Sequence, residues 1–487
     1  MSKNFFLKSA FWLTVSEIIY NASGYIIHSA VGRILGPEEY GRYGLVVTLT
    51  TMIIILIGNG IPTAMSKYLS EFFETKPEMV PAIKKQALRL QILVIGAVMI
   101  IFFLISPFLA RILGDESLTK LFRISTLIIP SFAAASFYFY YYTGIHKFNL
   151  QSILKTFRSI FRVIAIVALA YYFKVEGSIS GYIVAPFAVF LVAFLIDKFK
   201  VSKEFPKNTT AIFEWKKLFD YAWPITLFML FYEVFISIDL YLVQGILKNE
   251  HLTGIYNGAL TVARIPYYLF YALTIILLPV ISKTTSQEKH AETFSIINNS
   301  LRLMLILLFP GIILMSVYSK QILTLFYGKT FAEGALPMSI LAIGVGFLTI
   351  FYVLSFVMNG AGKVKTPMWI AFFGFVLNSI LNYLFISSYG IIGSAIATSI
   401  ASLLIMLLML FFIHKHFNVY IKIGSLVKII FASIILYVIT FFLPESRIVF
   451  LLSSLFSFSI YALILYITKE ISSKDVIILK RLVSRKK

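Results

Sequence analysis

Cysteine is missing from the 487-residue chain, so disulfides and thiolate metal sites are excluded and redox chemistry does not mark the compartment. Charge is nearly as scarce. Charged residues make up 13% and hydrophobic ones 59%, with a mean hydropathy of +0.89, which no soluble globular chain of this length shows. Enzyme signatures are also lacking. There is no HExxH and no Asp-x-Asp for metal-dependent sugar transfer, and no loop is large enough to fold a catalytic domain. Gly328-Lys329-Thr330 resembles the end of a phosphate-binding loop, but Leu323 stands where the earlier glycine is required. His414-Lys415-His416 beside a basic loop reads as solvated surface rather than a metal site.

What is present is long apolar runs, each near the ~20 residues needed to cross a hydrocarbon core as a helix. Barrel strands would alternate in runs of about ten residues, so the class is an all-α polytopic membrane protein. Spans are expected at about 9–35, 43–66, 88–109, 121–144, 154–173, 178–197, 217–247, 254–282, 295–318, 335–359, 366–387, 390–413, 423–443 and 447–468, fourteen in all. With the N-terminus inside, 32 Lys/Arg fall on the cytoplasmic side, Arg158 and Arg162 among them, and 10 fall outside. Only Arg264 lies well within a span. This asymmetry puts both termini in the cytoplasm of a plasma-membrane protein. The net charge of +21 then reflects topology, and no nucleic-acid partner is expected. Lys3 and Lys8 precede an uncleaved first span rather than a signal peptide. Asn208-Thr209-Thr210 matches a glycosylation acceptor but falls on the cytoplasmic side.

The first hairpin, Val31–Tyr43 (VGRILGPEEYGRY), is broken at Gly36-Pro37. A similar arrangement returns near the middle, where Ile246-Leu247 and Gly254-Ile255-Tyr256 take the places of Ile34-Leu35 and Gly41-Arg42-Tyr43. The chain therefore reads as two parallel six-span repeats, 1–198 and 217–413, joined by a cytoplasmic linker, 199–216. An extra helix pair, 414–468, and a basic cytoplasmic tail, 469–487, follow. The tail reads as a topology signal that touches anionic headgroups of membrane lipids. Parallel repeats place a substrate path at their interface, where rocking gives alternating access.

Polar residues inside spans are costly and therefore informative, at about 2.5–3.5 kcal/mol for a charge at a helix centre. In the first span Glu17, Asn21, Gly24 and His28 share one face. They form either a helix–helix seam or a cavity wall, and the carboxylate favours the cavity. The seventh span carries Glu233 and Asp239, and the eighth carries Arg264 at a depth similar to that of Asp239, just before Pro266, which suggests a kink. Arg264 either pairs with Asp239 or faces the cavity, where a guanidinium could hold a phosphate or pyrophosphate. Asn378 and Asn382 lie one turn apart on the eleventh span, and Thr398 lies among small residues of the twelfth. Together with a carboxylate they are oxygen ligands suited to a hard cation such as Na⁺.

GRILGPEEYGRYGL, GIYNGAL, ILLPVIS, NSILNYLF and GIIGSAIATS occur in this order along nearly the whole chain. Together they resemble the Wzx-type polysaccharide flippases of the multidrug/oligosaccharidyl-lipid/polysaccharide (MOP) exporter superfamily. The resemblance implies a V-shaped bundle and a secondary transporter or flippase, not an enzyme. It would move a polyprenyl-linked oligosaccharide from the inner to the outer leaflet as a monomer, with a polysaccharide polymerase or glycosyltransferases as partners. Substrate-binding residues would then be Arg264, Glu17, Asn21, His28 and Glu233. No cofactor is implied beyond Na⁺ or H⁺ as coupling ion. By similarity to lipid II flippases, a Na⁺ site falls on Asp239, Asn378, Asn382, Thr398 and the backbone of Ser394, with Asn382 in the place of a second carboxylate. That similarity argues against a simple Asp239–Arg264 pair. The alternatives are a Na⁺- or H⁺-coupled multidrug exporter of the same superfamily and a lipid II flippase.

Overall fold

The computed structural model describes residues 3–58, 60–206, 211–419, 422–444, 446 and 449–471. The Asn208-Thr209-Thr210 acceptor and the tail beyond residue 471 lie outside them. Regular structure among the described residues is helical throughout. In chain order the helices are α1 (Lys3–Gly58), α2 (Gly60–Phe72), α3 (Met79–Ile112), α4 (Leu118–Ser125), α5 (Ile128–Gly144), α6 (Phe148–Phe199), α7 (Trp215–Leu247) and α8 (Glu250–Ala263). They continue as α9 (Ile265–Ser286), α10 (His290–Val317), α11 (Ser319–Tyr327), α12 (Ala335–Gly360), α13 (Lys365–Phe417), α14 (Ile423–Phe442) and α15 (Val449–Ile467). Helix is the form that satisfies every backbone group within one segment in the absence of water.

Ten helical stretches among the described residues are long and apolar enough to span a membrane. Three of the ten are double length, and each is broken once. The breaks lie at Gly36 in α1 (φ 73°), at Phe173-Lys174 in α6 and at Gly390 in α13 (φ 56°). With the α8–α9 pair, interrupted at Arg264, the segments number fourteen, as the apolar runs predict. The expected loop of several residues after Gly36 is narrower in the structure, because helix resumes at once through Pro37 and the charged stretch after it. Proline fits there, since an opening helical turn has no partner for its missing N–H.

The chain divides into two compact units, Met1–Asn257 and Gly258–Lys487. In the first, α1 packs along α6 and α7, while α5 lies against α2 and α6. One part of its core gathers Met65, Leu69, Ile83, Tyr141, Tyr142 and Ala193. Lys84 pairs with the buried Asp197 beneath Tyr138 and Tyr141. In the second unit α12 is enclosed by α9, α10 and α13. The extra pair α14–α15 is fixed to α10 by the buried Glu470, which accepts from Arg302 Nε at 3.0 Å and from Ser425, and by Tyr461, which donates to the Ile306 carbonyl at 3.0 Å. Large apolar side chains such as Leu93 and Leu104 on α3 and Leu452 and Leu455 on α15 remain exposed, as expected of a surface whose solvent is lipid.

Candidate functional site

In the first unit the polar face of α1 meets α6. Glu17 forms an ion pair with Lys155, which supplies the cation that the first span by itself does not reveal. One turn on, Arg158 lies over the rings of Tyr20, Phe132 and Phe139 at 4.8, 4.7 and 4.8 Å. Arg162 lies over Tyr20 at 3.8 Å, donates to Ser23 Oγ from Nε at 3.0 Å and from Nη2 at 2.6 Å, and also bonds the Tyr20 carbonyl. Positions 155, 158 and 162 recur at three- and four-residue spacing and so form one stripe of α6. Sequence reasoning counted these residues as an inside-positive signal. Their common face was available as a clue, but their partner helix was not.

The remaining α1 candidates divide. Asn21 is half-buried. His28 joins the aromatic group beyond the Gly36 break, its Nδ1 2.8 Å from the Tyr40 hydroxyl, and Tyr43 in that group bonds Tyr182 at 2.8 Å. Glu233 on α7 is half-buried. Asp239 is fully buried, and its carboxylate accepts the Tyr256 hydroxyl at 2.8 Å and the Leu240 amide at 2.9 Å. Tyr256 belongs to the second copy of the repeated Gly-x-Tyr. The two copies also touch directly. A β-carbon on Gly254 would lie 1.7 Å from the Pro37 carbonyl, and one on Gly41 would lie 2.4 Å from the Glu250 carbonyl.

In the second unit Arg264 occupies the one-residue interruption between α8 and α9, two residues before Pro266. Its position agrees with a proline that cannot donate to the preceding turn. Asn378, Asn382, Ser394 and Thr398 come together across the Gly390 break, all buried. Asn382 Nδ2 donates to Asn378 Oδ1 at 2.8 Å, Ser394 Oγ donates to Asn382 Oδ1 at 2.6 Å, and Thr398 Oγ1 lies 3.5 Å from Asn382 Nδ2. Ser394 enters this network through its hydroxyl. These four groups carry no charge, and their amide and hydroxyl oxygens are of the kind that a hard cation takes. Asp239 belongs to the other unit.

The profile of the polysaccharide biosynthesis protein family matches residues 6–285, and the MatE profile matches residues 224–384. An uncharacterized membrane protein, MJ1375, of Methanocaldococcus jannaschii is 28% identical over 425 residues, covering 83% of this chain and 97% of its own. A probable low-salt glycan biosynthesis flippase, Agl15, of Haloferax volcanii is 24% identical over 159 residues, a third of each chain (33% and 34%). Among solved structures, the lipid II flippase MurJ in an inward closed conformation superposes with a TM-score of 0.75 at 18% identity, over 97% of this chain and 99% of its own. At that identity the likeness is one of fold. With more than half of its length matched by one family profile, the chain belongs to the polysaccharide biosynthesis protein family, within the MOP exporter superfamily.

Proposed function

We propose that this protein is an alternating-access flippase that moves a polyprenyl-(di)phosphate-linked oligosaccharide from the inner to the outer leaflet for surface polysaccharide or glycan assembly. The observation that carries the reading is the family match over residues 6–285, in a chain that keeps Glu17, Lys155, Arg158 and Arg162 inside its helices. Such charges are retained in membranes where they meet a cavity, a partner or a substrate. The name of the Haloferax relative supports glycan as the cargo class. Both termini are cytoplasmic, the protein acts as a monomer, and polymerases or glycosyltransferases act before and after it. A Na⁺ or H⁺ gradient drives the cycle, with Asp239, Asn378, Asn382, Ser394 and Thr398 as the ion-sensing set.

The MatE match over residues 224–384 favours a second reading, a cation-coupled exporter of amphipathic cations. Host cells depleted of the protein separate the two. Under the first reading, oligosaccharide-bearing polyprenyl diphosphate accumulates where an external glycosidase cannot reach it, and the wild-type chain clears it. Arg264→Ala, although folded in the membrane, leaves the accumulation in place. Normal glycan export in depleted cells, with new sensitivity to cationic dyes, would reject the flippase and support the exporter.

A further inference from the structure

We propose that the cleft where the α1 break, the start of α4 and the α6 break meet is a glycan-binding site, with Lys174 held on its wall to bond sugar hydroxyls. It rests on the flippase reading. With the N-terminus in the cytoplasm this end of the first unit is the outer one, since α1 reaches it at Gly36 after a single span. The ligand is then the oligosaccharide part of the cargo after transfer.

Backbone strain is the first ground. Lys174 sits in the α6 break at φ 53°, ψ −132°, a conformation that glycine adopts freely and lysine does not. The α13 break has the same form, with Gly390 at φ 56°, ψ −139°. A Gly-Ser pair follows each break, Gly177-Ser178 in one and Gly393-Ser394 in the other. A β-carbon on Gly177 would lie 1.9 Å from the Leu169 carbonyl, and one on Gly393 would lie 2.1 Å from the Phe385 carbonyl. The two breaks share one backbone design, and the first unit sets a cation where the second has glycine. Strain of this kind persists where a side chain serves a site.

The lining of the cleft is the second ground. Its volume is about 780 Å³, within the range of small-ligand pockets. Phe173, 63% exposed, gives it an apolar side together with Leu121 and Ile124. Two ion pairs line it, Arg42–Glu39 and Lys120–Glu176, both at 2.6 Å. Glu116, Arg123 and Lys174 also line it and form no ion pair among the described residues. A small anion would meet carboxylates there as well as cations. Neighbouring hydroxyls, by contrast, accept from an ammonium or guanidinium and donate to a carboxylate. The C–H face of a sugar ring suits the negative face of an exposed aromatic ring. A glycan therefore fits this lining, and a bare phosphate does not.

The test uses the full chain in phosphatidylcholine nanodiscs. The probes are fluorescently labelled oligosaccharides released from the host's surface glycans and separated by size, with inorganic pyrophosphate as competitor. At least one fraction should bind wild type, and pyrophosphate should leave it bound. Lys174→Gly should weaken that binding at least about tenfold, while the melting temperature holds or rises because the strain is gone. Glu116→Gln should weaken it too, and Lys174→Arg should keep most of it. Binding by no fraction, or undiminished binding by Lys174→Gly and Glu116→Gln, would overturn the site. Displacement by pyrophosphate would overturn the glycan assignment, and a lower melting temperature in Lys174→Gly would make the lysine structural and overturn its role. Lys174-dependent glycan binding by a protein that moves no lipid-linked oligosaccharide would retain the site and reject the flippase. Transport by a protein that binds no fraction would do the reverse.

Discussion

At the hairpin after Gly36, Arg42 Nε donates to Asp115 Oδ2 at 2.7 Å, while the Ser117 amide and hydroxyl donate to Oδ1 at 2.9 and 2.6 Å. Burial works to raise the Asp115 pKa, but these hydrogen bonds and the guanidinium charge outweigh it and hold the carboxyl below the ordinary carboxylate range. The stabilisation is fully present above the unfolded-state value of about 4 and is lost as pH falls through the lower folded value. Melting temperature in detergent should therefore drop on acidification below about pH 4, and Arg42→Gln should reduce that drop. An identical acid profile in the variant would remove this tie from the stability of the hairpin. The same need for partners holds for Glu17, Lys155, Arg158 and Arg162 within α1 and α6. Their bonds run between residues 138 to 142 apart in sequence, so the sequence reveals the charged faces of α1 and α6 without revealing that they meet.

At the scale of elements, the crossing of α1 and α8 allows no side chain at its centre. Real β-carbon contacts stay beyond 3.0 Å, whereas Gly254 would place its own at 1.7 Å from Pro37 and at 3.0 Å from the Gly41 amide nitrogen. Gly254→Val must push the helices apart and should cost about 3 kcal/mol or more, at the upper end of overpacking. Gly311→Ala in α10, where a β-carbon meets nothing within 4 Å, should be neutral or gain up to about 1 kcal/mol of helix propensity. Thermal unfolding of the two variants beside wild type decides, and equal stability of Gly254→Val would mean that the close approach is dispensable. Gly41 and Gly254 stood out in the sequence as matching members of a repeat, but their mutual contact did not. Element count and breaks were more legible. Fourteen apolar runs, Gly36-Pro37, Gly390 and Pro266 each act through local backbone chemistry that a short window contains. The Asn378–Asn382 face was legible for the same reason. Its link to the Ser394 hydroxyl was less so, since it runs across the Gly390 break. Asp239 was singled out by its cost in the membrane, but its Tyr256 partner depends on how α7 and α8 pack.

At the scale of the whole molecule, a chain with 43 Lys and Arg against 22 Asp and Glu carries a strong positive excess, and it sets Lys155, Arg158 and Arg162 on one stripe of α6 against α1. The decisive measurement is leaflet transfer by the purified chain in liposomes carrying a fluorescent polyprenyl-diphosphate oligosaccharide, with a glycosidase added outside and a Na⁺ or H⁺ gradient imposed in turn. A flippase exposes the inner-leaflet oligosaccharide to the enzyme in a protein-dependent way, faster with one of the gradients. If the protected fraction stays at the level of protein-free liposomes under both gradients, while cationic dyes are expelled, the flippase reading is contradicted.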